Sequence, residues 1–205
     1  MSSFNTDESE TGVQVLGQME LINLLDSGGQ HYSHCISIGN PRKLFRRKKP
    51  DETMPDMFRQ HFNKILRLSF YDVEEKRYLR PWHFPKRIPQ RSDVHKVIKF
   101  FTNTKDVATG YTIHCWQGIS RSTAIALGIL YLITGSETEA KKRLYRMRSD
   151  AFPHQKIVKW FDEELGCNLY SVNREIHQSR LDRMKKELDL SEESLLEELP
   201  VAEEE

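Results

Sequence analysis

Residues 114 to 123 read His-Cys-Trp-Gln-Gly-Ile-Ser-Arg-Ser-Thr, placing a thiol and a guanidinium, Cys115 and Arg121, with five residues between them. An ionised cysteine is a strong nucleophile. A guanidinium is a planar fork that holds two phosphate oxygens at once. Ser122 follows the arginine, where its hydroxyl can donate a hydrogen bond to the thiolate or help it leave. Taken singly, Cys115 reads as a small core residue and Arg121 as a surface arginine at a helix start. Composition alone would produce the joint pattern on the order of once in twenty thousand chains. The joint reading, attack on phosphorus with the phosphate held by the loop, therefore outweighs the separate ones.

That chemistry needs a particular backbone. The segment lies between YTIHC (111–115), a short buried strand, and STAIALGILYLI (122–133), apolar nearly all round and so a central helix. A strand-to-helix turn leaves the first N–H groups of the helix without intrahelical partners, and the positive end of the helix dipole lies there. Gly118 lets the loop curl without a Cβ penalty. The amides of Trp116, Gln117, Gly118, Ile119 and Ser120, up to Arg121, then converge on one phosphate as an anion nest. The same field favours the thiolate of Cys115, and His114 can tie the loop by hydrogen bonding.

Around the motif, short apolar runs alternate with helical patterns. VQVL (13–16), HCISIG (34–39) and KILRLSF (64–70) are further strand candidates. MELINLL (19–25) is a short helix ended by Gly28-Gly29. Val94, Val97, Ile98 and Phe101 fall on one helical face, as do Ala140, Leu144 and Met147, then Ile157, Val158, Phe161 and Leu165 before Gly166. The alternation predicts an α/β fold with a central, largely parallel sheet flanked by helices. Residues 1–11 lack apolar anchors and read as a disordered N-terminus, 12–166 as the catalytic domain, and 167–205 as a C-terminal helical extension and acidic tail. In that extension Leu181, Met184 and Leu188 share a face, and from Glu187 onward there are nine acidic residues and no basic one.

Composition narrows the class. The 205 residues carry 31 Lys+Arg against 30 Asp+Glu, so net charge offers no reason to expect nucleic acid or a membrane surface as partner. No apolar run approaches a membrane span, and the N-terminus is not a secretory signal. Three scattered cysteines make neither a disulfide framework nor a zinc cage. A soluble, cytoplasmic, reduced protein is expected, with no metal or cofactor. Its oligomeric state is left open.

HCWQGISRST and the helix after it resemble the cysteine-dependent protein phosphatases with the C-x5-R signature, in particular the compact dual-specificity-like members, bacterial tyrosine phosphatases among them. The resemblance covers roughly residues 12 to 166. RMRSDAFP (146–153) is similar to the family's later helix-turn, where a proline leads into the last core helix; the family often has asparagine next, and here it is His154. In low-molecular-weight phosphatases and arsenate reductases the cysteine lies near the N-terminus, unlike Cys115. The absence of lysine inside the loop argues against a multiply phosphorylated lipid headgroup. The resemblance implies a dual-specificity-phosphatase-like fold and a two-step hydrolysis through a phosphocysteine. Cys115 would be the nucleophile and Arg121 and the loop amides would bind the phosphate. The implied substrate is phosphotyrosine in protein, with phosphoserine and phosphothreonine as further candidates. A nucleotide or RNA 5′-phosphate is the alternative substrate, and a phosphate-binding module without turnover the alternative function.

In the family, the general acid is an aspartate on a loop after the strand that precedes the signature's own strand. Asp72 follows KILRLSFY and fits by topology, 43 residues before Cys115. Asp93 is its rival but starts a helix, where aspartate is a good cap; Glu74 and Glu75 are near. The basic run PRKLFRRKK (41–49) reads as a solvated loop that can steer anions, with polyanion binding as the sharper alternative. Tyr78, Trp82, His83 and Phe84 lie in a proline-rich loop and are candidates for a cleft lining or lid. Cys35 and Cys167 read as uncatalytic, with a resolving disulfide to Cys115 as the alternative.

Overall fold

The computed structural model describes residues 12–41, 56–79 and 87–197, with side chains described outside 56–58 and 187–197. Residues 1–11, positions 42–49 of the basic run, Trp82, His83, Phe84 and the last eight residues of the acidic tail lie outside that set. In chain order the elements are β1 (Gly12–Gly17), α1 (Gln18–Asp26), β2 (His34–Gly39), β3 (Lys64–Ser69), α2 (Arg91–Thr102), β4 (Gly110–Cys115), α3 (Arg121–Thr134), α4 (Glu137–Met147), α5 (Gln155–Leu165) and α6 (Leu169–Glu197). Short 3-10 turns occupy Asp56–His61 and Lys76–Tyr78.

The four strands form one sheet in the order β1-β4-β2-β3, every neighbouring pair parallel. This is the α/β architecture that alternating strand and helix patterns predict. Parallel strands all finish at the same end of the sheet, so Gly17, Asn40, Asp72 and Cys115, each at or just past a strand's C-terminus, are delivered to one edge. Crevices at the carboxyl ends of parallel strands are where such folds bind ligands.

Strand alternation divides the layers. On one face Val15, Ile36, Ile38, Leu68, Tyr111 and Ile113 join the main core with α2, α3 and α5. On the other, Cys35 packs with Leu21 and Leu25 of α1 and with Phe62. The first ten residues of α3, Arg121 to Leu130, are buried, as its all-round apolar sequence requires. Gly128 allows α5 to approach: a Cβ there would stand 2.5 Å from the Phe161 ring.

The chain after Gly166 departs from its expected pattern. Helix α6 begins at Leu169; among its described residues Leu169, Asn173 and Ile176 are buried, and Leu169 and Ile176 extend the main core beyond Gly166. Leu181 and Met184, which share an apolar face in sequence, are 46% and 48% exposed. The face that packs includes an asparagine, which an apolar pattern passes over. Among the described residues no helix is long and apolar enough to cross a membrane.

Candidate active site

Cys115 ends β4 and Arg121 opens α3, so residues 116–120 form the turn between them. Cys115 is 2% exposed and Arg121 3%. The sulfur lies 3.1 Å from Ser122 Oγ and accepts the amide of Gly118 at 3.3 Å. Ser122 is the second residue of α3, and its hydroxyl lies on the sulfur.

The loop's carbonyls are bonded outward. Trp116 O accepts from the Gln18 amide at 3.0 Å, Ile119 O from Phe152 N at 2.9 Å and Ser120 O from His154 N at 3.3 Å. Gln117 O accepts from Arg148 Nη2 at 3.1 Å. In each peptide the N–H opposes the C=O, so outward carbonyls turn the amides to the opposite side, where the Gly118 amide meets the sulfur. Gly118 makes the reversal at φ +78.

Arg121 is fixed along one edge. Its Nη1 donates to Asn40 Oδ1 at 3.0 Å and to Phe70 O at 2.9 Å. Its Nε stands 3.5 Å from Asp72 Oδ2. Asp72 in turn accepts a hydrogen bond from Ser120 Oγ at 2.7 Å, and its side chain is 34% exposed. Asn40, Asp72, Trp116, Gln117 and Arg121 line one cleft of about 320 Å³. Trp116, 58% exposed, stands at its rim.

Asp93 is placed elsewhere and is buried. It accepts from Arg87 Nη2 at 2.5 Å and from the Gln90 amide at 3.0 Å at the start of α2, the capping role its position suggests. Glu75 pairs with Arg77 at the surface.

His114 points away from Cys115, since consecutive strand residues face opposite sides of the sheet. It lies beside Leu16 and Ser37 in the strand register. Neither ring nitrogen has a hydrogen-bond partner among the described residues, so the expected tie to the loop is not seen. Burial pushes its pKa down to about 4, with Arg121 and Arg67 adding to the shift and the Cys115 backbone opposing it. A histidine lowered from its unfolded value leaves the unfolded chain binding more protons between the two, so stability falls as pH drops through that window. His34, His154 and His177 are also lowered, burial being the first cause in each. Urea unfolding should show about 2 kcal/mol less stability at pH 5 than at pH 7 from His114 alone. His114→Gln should flatten that slope, and an equal slope in both proteins would reject the assignment.

Cys35 lies opposite Thr112 in the strand register, three residues before Cys115. That is about 10 Å along a strand, beyond the roughly 7 Å a disulfide spans between Cα atoms. All three cysteines are free. Burial pushes the Cys35 thiol up, and burial with the Asp162 hydrogen bond pushes Cys167 up to about 12. Cys35 thus cannot serve as a resolving partner without backbone movement. Among the described residues no group of three or more His, Cys, Asp or Glu could hold a metal ion.

Asn40, Arg148 and Glu20 belong to the site's scaffold and were not singled out from sequence. Asn40 had a signal, the first position after a strand in a parallel sheet. Arg148 and Glu20 had none, because their contact spans 128 residues.

No family model and no curated protein matches the chain. Among solved structures it is similar to DUSP15, at 18% identity over 82% of this chain and 91% of that one, TM-score 0.49. It is similar to human tyrosine phosphatase-like serine/threonine/tyrosine-interacting protein, at 18% identity over 74% and 85%, TM-score 0.48. It is also similar to PTPMT1 in complex with PI(5)P, at 16% identity over 82% and 92%, TM-score 0.43.

Proposed function

We propose that this chain is a cysteine-dependent phosphomonoester hydrolase acting on phosphorylated protein, phosphotyrosine foremost. The observation that carries the reading is that Asp72 and Arg121 line one cleft with Trp116 and Gln117, the residues that directly follow Cys115, and that Asp72 is held by Ser120 Oγ at 2.7 Å. A carboxyl, a thiol and a fixed guanidinium around a loop of inward amides are the parts that phosphoryl transfer through an enzyme thiolate requires.

In this mechanism the Cys115 thiolate attacks phosphorus, forming the S–P bond as the P–O bond to the leaving group breaks. Asp72, protonated, gives its proton to the leaving oxygen. The loop amides and the free edge of Arg121 hold the three equatorial oxygens, displacing Asp72 from the Nε of Arg121. Water then attacks phosphorus, Asp72 takes a proton from it, and the S–P bond breaks with Ser122 Oγ donating to the departing sulfur. The nucleophile must stay reduced, which suits the cytoplasm.

The test is hydrolysis of 4-nitrophenyl phosphate near pH 6 in the presence of a chelator, with acid quenching during turnover. Turnover should persist, and the quenched protein should carry a phosphoryl group on Cys115. Turnover without that adduct, or an active Cys115→Ser protein, would overturn the mechanism. Phosphate binding without turnover would make the chain a binding module.

A further inference from the structure

The phosphate loop is held from outside as well as by its own helix, where Thr123 Oγ1 bonds the carbonyls of Ile119 and Ser120 and the Ala124 amide bonds Ser120 O at 3.0 Å. Three of its outward carbonyls are clamped from one segment, residues 148–154: Gln117 O by Arg148, Ile119 O by the Phe152 amide and Ser120 O by the His154 amide. That segment is itself irregular. Its carbonyls are taken up by α6. Arg183 Nη2 donates to Ser149 O at 2.9 Å and Arg180 Nη1 to Asp150 O at 2.6 Å. Asn173 Nδ2 donates to Pro153 O at 3.3 Å, and His177 Nε2 lies 2.9 Å from the same oxygen. The Phe152 ring stacks on His177 at 3.7 Å between centroids, and the Arg180 guanidinium lies 5.2 Å from its centroid. The same Arg148 guanidinium is braced by Glu20, whose two carboxylate oxygens accept from Nη1 at 2.8 Å and one of which also takes the Gly17 amide at 2.6 Å.

We propose that the C-terminal helix is a working part of the phosphate site: Asn173, His177, Arg180 and Arg183 fix segment 148–154, and that segment fixes the carbonyls whose placement turns the loop amides inward. The inference rests on reading the loop as a phosphate site. Arg148, Arg180 and Arg183 are positioning residues, since they touch the loop or its support rather than the substrate. Two of the bonds from α6 come from guanidinium groups, the stronger kind of hydrogen bond. Misplacing phosphate donors by about 1 Å costs on the order of 100-fold in rate, so partial loosening should be felt even where the fold survives.

The experiment uses the full chain. Removing α6 entirely would strip Leu169 and Ile176 from the core and report only on folding. The doubly substituted Arg180→Met, Arg183→Met protein is the test, since neither side chain is buried. Lys185→Met with Lys186→Met removes the same charge from exposed positions of the same helix and controls for long-range attraction. The readouts are the dissociation constant for inorganic phosphate, kcat/KM for 4-nitrophenyl phosphate and the thermal midpoint. The arginine pair should weaken phosphate binding and lower kcat/KM by about tenfold in a folded protein, with the lysine-pair control within twofold of wild type. Restoring charge and reach with Arg180→Lys and Arg183→Lys should recover part of the loss. If the arginine double variant lowers the midpoint and leaves phosphate affinity and kcat/KM within twofold, α6 is only a structural element and the inference fails. Equal losses in the lysine control would also defeat it. A double variant too unstable to assay is replaced by Arg183→Met alone, judged by the same readouts. Wild type that neither binds phosphate nor turns over would remove the reading of the site, and the inference with it.

Discussion

The Asp72→Asn protein should hydrolyse phosphotyrosine roughly 10²–10⁴-fold more slowly than wild type, with its fold and phosphate affinity intact. Asparagine keeps the shape of aspartate, and its carbonyl can still accept the hydrogen bond that Ser120 Oγ now gives to Asp72 Oδ1. What it lacks is a transferable proton. The loss should therefore follow the leaving group. An alkyl or tyrosyl oxygen leaves poorly as an anion and should suffer most, while a nitrophenolate, which leaves unaided, should suffer less. The second half-reaction should also slow, because the same carboxylate takes a proton from the attacking water. Phosphocysteine should then accumulate in Asp72→Asn during steady-state turnover, and quench experiments read this directly. Equal rates in Asp72→Asn and wild type across both leaving groups would remove Asp72 from the chemistry.

The matching Asp93→Asn protein separates role from residue type. Asp93 is 2% exposed, and its carboxylate is taken up by Arg87 and by the Gln90 amide. Its replacement leaves a partly buried guanidinium without its counter-charge, which costs stability. It should leave the leaving-group dependence of the rate as it was. A lowered unfolding midpoint with an unchanged rate profile assigns Asp93 to the start of α2; the reverse pattern would transfer the acid's role to it.

Which parts of this arrangement were legible in sequence follows from how far apart the partners lie. The Cys115–Arg121 turn is local: strand, glycine, small residues and helix follow one another, and their backbone needs can be read off in order. Asp72 lies far from Cys115 in sequence, yet the rule that parallel strands end together brings it to the same edge. That rule applies equally to Asn40, the first residue past β2. The outward clamps on the loop were hidden for a different reason. Arg148 meets Glu20 across the whole domain, and backbone amides such as those of Phe152 and His154 carry no sequence signal. The packed side of helix α6 gave little apolar signal because it is partly polar. Asn173 and His177 are there to meet the Pro153 carbonyl, so the pattern of apolar residues pointed to Leu181 and Met184, which face solvent.

Gly118→Ala should cost both rate and stability. The residue sits at φ +78, a conformation that costs an L-residue about 1 kcal/mol or more. Strain is the smaller part of the effect. A Cβ at that point would stand 2.6 Å from Gly17 N and 2.7 Å from Leu16 C, backbone atoms at the end of β1 that have no rotamer to yield. The loop must then move off β1, which breaks the bond from the Gln18 amide to Trp116 O and draws the Gly118 amide away from Cys115 Sγ. Both changes displace the amides proposed to hold phosphate, so kcat/KM should fall by about 100-fold or more, with about 3 kcal/mol of stability lost. Gly135→Ala is the comparison that isolates the cause. Gly135 has φ +65 and open space where its Cβ would go, so alanine there carries the strain without the collision. It should cost about 1 kcal/mol and leave the rate within twofold. If the two alanines prove equally mild, the loop has room against β1 and its amides are not held where the hydrolysis of a phosphate ester needs them.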